Sequence, residues 1–354
     1  MSTPTAAPIY ARPLNIRHGK VDMTHGSGGR AMAQLIHELF ASAFDNEFLA
    51  QGDDGAVLPA ASGRLVMATD AHVVSPLFFP GGDIGCLSVH GTINDVAVMG
   101  AKPLYLSASF IIEEGFPLAD LQRIVKSMAQ AAMEAGVLIV TGDTKVVERG
   151  SADGVFITTT GVGVLADGVN LSGKNARPGD VVLLSGDIGA HGMAIMSQRE
   201  NLSFDAPIVS DTASLQGLVA EMLATSETRA AIHCLRDATR GGIATTLNEI
   251  AMQSSVGIML EESAIPVQPV VAAACEFLGF DPLYVANEGK LIALVAPEQA
   301  EAVLAAMRKH PLGKNAANIG VVKIDANRFV QMNTRFGGRR IVDWLTGEQL
   351  PRIC

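Results

Sequence analysis

The sequence lacks any apolar run long enough to cross a bilayer. Of its 354 residues, 48% are hydrophobic and 18% are charged. No continuous stretch approaches the roughly 20 apolar residues that a membrane-spanning helix needs. Residues 1–14 are polar and proline-rich and contain no apolar core of the signal-peptide type. We therefore expect a globular chain in the cytoplasm, with neither a secretion signal nor a membrane partner.

Basic residues and clustered cysteines are scarce as well. The formal net charge is -10, whereas a nucleic-acid partner requires a basic surface, so we expect no nucleic-acid partner. The four cysteines are widely spaced and form neither a metal-binding pattern nor a disulfide framework. Three of them lie in apolar or helical contexts and are predicted to be small core residues: Cys86, Cys234 and Cys275.

The fourth cysteine, Cys354, is the last residue of the sequence. The segment before it contains a glycine and little apolar periodicity, which predicts a flexible tail over residues 343–354. About eleven extended residues span roughly 35–40 Å, enough to carry the thiol to an active site of its own subunit or of a partner. We expect the α-carboxylate to raise the pKa of this thiol, so that a basic pocket or a donor enzyme must help to activate it.

Strand-like and helix-like patterns alternate along both halves of the chain, which predicts an α/β architecture. A polar stretch with Pro178 separates the halves. We therefore predict an extension over 1–22, an N-terminal domain over 23–167, a C-terminal domain over 168–342 and the tail. The predicted strands are 64–69, 103–112, 137–140, 155–165, 181–184, 291–295, 317–324 and 329–332, and the main predicted helices are 84–99, 118–134, 189–197, 215–224, 241–253 and 299–309.

Aspartates lie at the ends of several predicted elements of the first half. They are Asp54, Asp70, Asp95 and Asp143. Each one alone is typical of a turn or a helix cap. Carboxylates gathered from several loops suit Mg²⁺, which is usually held between one or two such groups and substrate phosphates. The set therefore predicts a shared Mg–nucleotide site.

A glycine loop, HGSGG at residues 25–29, precedes the first predicted helix. Its backbone N–H groups could surround phosphates, with a helix N-terminus behind them. It lacks the ending of a P-loop and follows no clear strand, so it is not a dinucleotide fingerprint either. Arg30 and Lys145 are candidate phosphate or charge partners.

Two further clusters lie in the second half. DATRGG at residues 237–242 precedes a predicted helix, where Asp237 is either a cap or a site residue. Glu288 lies between a loop and an apolar strand, where it is either a turn residue or a general base.

The run DIGCLSVHGTINDVAVMGAKP at residues 83–103 resembles the signature of the PurM-like ATP-binding superfamily. Within that superfamily, four features together resemble the HypE family of hydrogenase maturation proteins. They are HGSGG (25–29), GDTKVV (142–147), DATRGG (237–242) and the ending PRIC (351–354). The resemblance runs from about residue 20 to the last residue, with no departure at a motif position.

The resemblance implies a homodimer whose N-terminal domains pair into a β-barrel-like core, with a C-terminal α/β domain on each subunit. It also implies an ATP-dependent dehydration. The carbamoyltransferase HypF places a carbamoyl group on the terminal cysteine, and the enzyme converts this S-carboxamide into an S-cyanate. The cyanide then passes to iron held by the HypC–HypD complex for [NiFe]-hydrogenase assembly.

By motif position, the resemblance implies roles for particular residues of this sequence. Cys354 carries the substrate group, while Glu288 is the base and Lys145 a charge partner, or the reverse. ATP and Mg²⁺ are the cofactors. The residues expected at ATP are Gly28, Gly29, Arg30, Asp54, Asp70, Asp95, Asp143 and Asp237, of which Asp54, Asp70, Asp95 and Asp143 would also bind the metal.

Two other hypotheses remain open at this point. The PurM-like motifs also fit an enzyme that phosphorylates a small diffusible substrate, as selenophosphate synthetase and thiamine-monophosphate kinase do. A reactive cysteine near the glycine loop, expected for the former, is missing from residues 24–30. The third hypothesis is a non-enzymatic carrier whose tail is a docking peptide and for which ATP is a structural ligand.

Overall fold

The computed structural model describes residues 12–204, 206–347 and 352–354. It has an α/β fold in which each half of the chain builds one main sheet. The extension predicted over 1–22 and the tail predicted over 343–354 lie partly outside the described residues, and the predicted domain boundaries stay predictions. Among the described residues, no helix is both long and apolar enough to span a bilayer.

The first sheet is built from residues 65–165. Its strands are β1 (Leu65–His72), β2 (Ala101–Glu113), β3 (Leu138–Val147) and β4 (Val155–Leu165). Their order in the sheet is β1–β4–β2–β3, so β1 and β3 are the edge strands. Only the pair β2 and β3 is parallel.

Helices cover one face of this sheet. They are α1 (Arg30–Leu35), α2 (Ile84–Val98) and α3 (Leu118–Glu134). Asp83 caps α2 by accepting hydrogen bonds from the N–H groups of Gly85 and Cys86. Leu121, Val125 and Met128 recur at helical spacing and are buried in α3. This apolar face packs α3 into the core beneath the sheet.

The second sheet is built from residues 181–341. Its strands are β5 (Val181–Leu184), β6 (Ile232–Asp237), β7 (Gly257–Glu261), β8 (Leu291–Val295), β9 (Ala317–Lys323), β10 (Val330–Asn333) and β11 (Arg339–Ile341), in the order β11–β10–β7–β9–β5–β8–β6. The helices of this half are α4 (Ala190–Arg199), α5 (Gln216–Met222), α6 (Ser226–Ala231), α7 (Gly242–Ser254), α8 (Pro269–Leu278) and α9 (Ala300–Lys309).

Helix α2 connects the two halves. The side chain of Asn94 accepts a hydrogen bond from the Leu215 N–H at 2.7 Å and donates one to the Ala213 carbonyl at 3.0 Å. Asn94 is 2% exposed, so these bonds are shielded from water. The α2 helix thereby holds the end of the first sheet against the β6 edge of the second.

The predictions for α3, β4, β5 and β8 are confirmed to the residue, and the remaining predicted elements are present with shifted ends. The largest shift is in β3, which was predicted to end at Val140 and continues to Val147. Asp143 and Lys145 therefore lie on a strand, not in a loop. An edge strand tolerates such exposed polar residues because one side faces solvent. Strands β6, β7 and β11 and helices α6 and α8 were not predicted.

Candidate active site

Four acidic side chains gather where the two sheets meet. Asp70 comes from β1, Asp95 from α2, Asp237 from the end of β6 and Glu288 from the loop before β8. The small cavity between them is lined by Asp70, Ala71, His72, Gly91, Asp95, Asp237, Thr239, Arg240, Glu288 and Cys354. Four predicted site residues and the terminal cysteine therefore share one cavity.

Burial and neighbouring carboxylates raise the pKa values of Asp95 and Asp237. Burial, followed by the charges of Asp237 and Asp70, raises the pKa of Asp95 to about 8. Burial also raises the pKa of Asp237 to about 6, with Arg236 opposing the shift. Buried like charges are costly without a counter-charge. The cavity is therefore suited to a cation.

The carboxylates of this cavity fit Mg²⁺ when other ligands complete the coordination shell of the ion. Within residues 12–204, 206–347 and 352–354, no three His, Cys, Asp or Glu side chains converge closely enough to hold a metal ion by themselves. Mg²⁺ typically takes only one or two carboxylates and completes its shell with waters and substrate phosphates. Asp70, Asp95 and Asp237 fit that mode.

Glu288 is the most deeply buried of these carboxyl groups, at 3% exposed. Its Oε1 has no hydrogen-bond partner. Burial, followed by the charge of Asp211, raises its pKa well above the ordinary value. Its backbone is fixed, since the Glu288 N–H donates to Asp211 at 3.1 Å and Asp211 forms a buried ion pair with Lys290 at 3.0 Å. A rigidly held carboxyl with high proton affinity is suited to accept a proton from a substrate.

Cys354 reaches this cavity from the end of its own chain. Residues 352–354 lie beside the segment after β1: the Val73 N–H donates to an α-carboxylate oxygen of Cys354 and the Ser75 N–H to the Arg352 carbonyl, both at 3.1 Å. Ile353 is 4% exposed and packs into the core of the first half. The last three residues are therefore docked, whereas residues 348–351 of the predicted flexible tail lie outside the described part.

The thiol of Cys354 lies among charged groups. Arg240 lines the same cavity and lies beside the Cys354 side chain. Burial, followed by the charge of Glu288, raises the pKa of the thiol to about 12, while Arg240 opposes the shift. The predicted direction is thus confirmed, with burial and Glu288 as the largest causes. The docked cysteine is a neutral thiol.

A second group of predicted residues lies near the edge strand β3. Asp143 and Lys145 are 3.5 Å apart and more than half exposed. The glycine loop lies against this strand, because a Cβ on Gly26 would stand 2.8 Å from the Val146 backbone nitrogen. Gly28, Gly29, Arg30 and Asp54 are exposed. A cavity beside Asp143 combines polar backbone with apolar walls from Ile36, Phe40 and Phe110.

Strand register separates the two groups within one chain. Asp70 pairs with Thr159, Thr159 with Ala108 and Ala108 with Gly142, the neighbour of Asp143. Three inter-strand spacings of about 4.8 Å amount to roughly 14 Å. Metal–oxygen bonds are about 2.0–2.6 Å long, so one ion cannot contact both Asp70 and Asp143 of the same subunit. The structure brings Asp70, Asp95, Asp237, Glu288 and Cys354 together and leaves Asp54, Asp143 and Lys145 apart.

Two site residues received no role from the sequence. Arg240 belongs to the DATRGG motif, and that position was the available signal. Asp211, which holds the Glu288 backbone, lies in a stretch without any recognisable pattern.

Two family models match the chain. "AIR synthase related protein, N-terminal domain" matches residues 52–165, and "AIR synthase related protein, C-terminal domain" matches residues 177–333. The chain is 68% identical over 346 residues to the carbamoyl dehydratase HypE of Cupriavidus necator, a match that covers 98% of each chain. The chain belongs to the HypE family of carbamoyl dehydratases. It is therefore an enzyme, and the expected resemblance is confirmed.

Solved HypE structures share its fold. A crystal structure of HypE in complex with ATP is 52% identical, has a TM-score of 0.90 and covers 94% of this chain and 99% of its own. The HypE chain of a HypE–HypF complex is 54% identical, has a TM-score of 0.77 and covers 88% of this chain and 99% of its own. The predicted two-domain PurM-like α/β fold is confirmed.

Proposed function

We propose that this chain uses ATP to dehydrate a carbamoyl group carried by its own Cys354, converting an S-carboxamide into an S-cyanate. The observation that carries the proposal is the position of the Cys354 side chain beside Arg240 and Glu288, in the cavity lined by Asp70, Asp95 and Asp237. A thiol with a pKa near 12 is a poor nucleophile at neutral pH. The docked cysteine is therefore suited to present a group that was attached while the tail was undocked.

The reaction couples the loss of one water to ATP hydrolysis. The carbamoyl oxygen attacks the γ-phosphorus, ADP leaves, and the C–O bond then breaks to release inorganic phosphate. Both N–H bonds break as the C≡N bond forms. Balanced, R–S–C(=O)–NH₂ and ATP give R–S–C≡N, ADP, phosphate and one net proton. Phosphorylation is needed because an unactivated amide oxygen is a very poor leaving group.

Residues of this chain supply positioning and proton transfer. In its ionised form Glu288 accepts an N–H proton, because a raised pKa makes its carboxylate a stronger base and it lies close to the sulfur. Arg240 lies beside the sulfur and offsets charge that develops on the carbamoyl group. Mg²⁺, held by Asp70 and Asp95 with Asp237 nearby, would neutralise phosphate charge. Lys145 and Asp143, together with Gly28, Gly29, Arg30 and Asp54, remain proposed nucleotide contacts.

The proposal includes partners and a homodimer. A HypE relative has been solved with HypF, which supports HypF as the carbamoyl donor, and HypC–HypD is the proposed cyanide acceptor in the cytoplasm. Leu65 and Met67 are 63% and 71% exposed on the edge strand β1. Exposed apolar side chains on an unpaired edge favour a second copy of the sheet as the partner, which is consistent with a β-barrel-like dimer core.

Mass spectrometry of the C-terminal peptide tests this function. Protein carbamoylated on Cys354 is incubated with Mg-ATP, and the expected result is loss of the mass of one water from that peptide, together with one ADP per conversion. Without ATP the mass should not change. If the carbamoylated peptide persists while ATP is consumed, the dehydratase proposal fails and phosphorylation of a diffusible substrate gains support. Family membership at 68% identity favours the first outcome.

A further inference from the structure

Helix α4 holds the docked tail through the backbone of the tail. The Ile353 carbonyl lies 2.7 Å from Nε2 of His191, a residue of α4 that is 0% exposed. Arg199, at the end of the same helix, donates to the Ser75 carbonyl at 2.6 Å and to the Arg352 carbonyl at 3.0 Å. Helix α4 thus contacts the two carbonyl groups that precede Cys354.

The surroundings of His191 decide which ring nitrogen carries the hydrogen. Ser210 Oγ accepts a hydrogen bond from the Thr212 N–H at 3.1 Å. The Ile353 carbonyl can only accept, so Nε2 of the neutral ring carries the hydrogen, and Nδ1 accepts the hydroxyl hydrogen of Ser210 at 2.8 Å. A neutral imidazole that accepts at Nδ1 must donate at Nε2. The donor therefore points at the Ile353 carbonyl.

The ring plane of His191 is fixed as well. Phe79 packs edge-on against the imidazole, with ring centroids 5.5 Å apart at 89°. Ser210 is itself anchored, because its N–H donates to the Pro80 carbonyl at 2.9 Å. These supporting contacts come from outside the tail, so the donor is oriented before the tail arrives.

We propose that His191, oriented by Ser210, is the positioning residue that docks the chain's end and sets the place of the Cys354 sulfur in the cavity. The Ile353 carbonyl belongs to the peptide bond that precedes Cys354, so fixing it removes most of the freedom of the sulfur. Without this donor the Ile353 carbonyl would be buried and unpaired, which costs about ten- to a hundredfold in the docking equilibrium. Only the turnover arm of the test below rests on the proposed function.

The full-length protein allows a matched pair of variants. His191→Phe keeps a ring against Phe79 but has no N–H to donate. His191→Gln replaces Nε2 by an amide nitrogen that can donate to Ile353, while its oxygen can accept from Ser210. Ser210→Ala leaves the imidazole in place and removes the hydroxyl that donates to Nδ1.

The first readout is the rate at which iodoacetamide alkylates Cys354, followed by mass spectrometry of the C-terminal peptide. We expect His191→Phe to speed this alkylation by about tenfold or more, Ser210→Ala to speed it less, and His191→Gln to restore most of the protection. The buried Cys234 and Cys275 should stay unreactive throughout, which shows that the fold is intact. The second readout is single-turnover dehydration of carbamoylated protein, which His191→Phe should slow by a similar factor while ATP affinity is unchanged.

The proposal would be overturned if His191→Phe showed the same alkylation rate and the same turnover as the wild-type protein. So would a His191→Gln variant as impaired as His191→Phe with Cys234 and Cys275 still protected, because ring packing and not the N–H donor would then matter. If His191→Phe exposes those two cysteines, Ser210→Ala decides, and unchanged alkylation in that variant overturns the proposal. If wild-type protein shows no dehydration but the alkylation differences persist, the proposed function fails and the docking role stands.

Discussion

Replacing Glu288 by Gln tests the proposed base with little change in shape. General-base catalysis contributes about 100- to 10,000-fold to a rate, which corresponds to about 2.7–5.4 kcal/mol of barrier. Because Glu288 is 3% exposed and one of its oxygens is unpaired, bulk water cannot readily replace it as proton acceptor. We expect single-turnover conversion of carbamoylated Cys354 to fall within that range, with ATP affinity unchanged.

The same substitution has a predictable effect on stability. The pKa of Glu288 is raised well above its ordinary value of 4.5, so the native state retains a proton that the unfolded chain releases. Native stability contributed by this group is therefore present below the ordinary pKa and lost as pH rises towards the raised one. Gln does not titrate. The free energy of unfolding of Glu288→Gln, relative to wild type, should increase as the pH is raised above about 4.5.

Urea unfolding between pH 5 and 8 measures the effect on stability, and quenched-flow turnover measures the effect on rate. Glu276→Gln, an exposed change on α8, is the matched control and should alter neither. Turnover of Glu288→Gln within about threefold of wild type would remove Glu288 as the base. A pH-independent stability difference would contradict the raised pKa.

Three further predictions follow from the same geometry. Arg240→Met should slow turnover by about ten- to a hundredfold, the loss of one interaction with a charged group, whereas the exposed Arg335→Met should not; equal rates in single-turnover assays would exclude a role at the sulfur. Asp95→Asn should raise the Mg²⁺ concentration that gives half-maximal turnover, because one hard oxygen ligand loses its charge, and an unchanged Mg²⁺ titration would place the metal elsewhere. Leu65→Asp should weaken self-association by at least about tenfold, and sedimentation showing an unaltered dimer would remove β1 from the interface.

Local sequence pattern was sufficient for elements with one apolar face or with a short continuous apolar run. The spacing of Leu121, Val125 and Met128 fixes α3, and the apolar run 181–184 fixes β5. The sequence pattern did not predict the full length of β3, because Asp143 and Lys145 lie on an edge strand whose exposed residues look like those of a loop. The sequence pattern did not predict β6, because Asp237, the residue that ends this strand, is equally typical of a helix cap.

The site residues likewise divide into those that the sequence predicted and those that it did not. Asp70, Asp95, Asp237, Glu288 and Cys354 were predicted and lie together, although the roles assigned to them stay predictions. His191 was missed because a histidine on a helix carries no local mark of a partner 162 positions away. The separation of Asp70 from Asp143 depends on strand order, which pairing across the whole sheet determines.

The central claim is that Cys354 delivers its carbamoyl group to the nucleotide. A crystal structure of the carbamoylated protein with Mg²⁺ and a non-hydrolysable ATP analogue measures this directly. The account predicts the carbamoyl oxygen about 3–3.5 Å from the γ-phosphorus, with residues 352–354 docked on Val73 and Ser75. A carbamoyl oxygen beyond reach of the γ-phosphate in every subunit would contradict it.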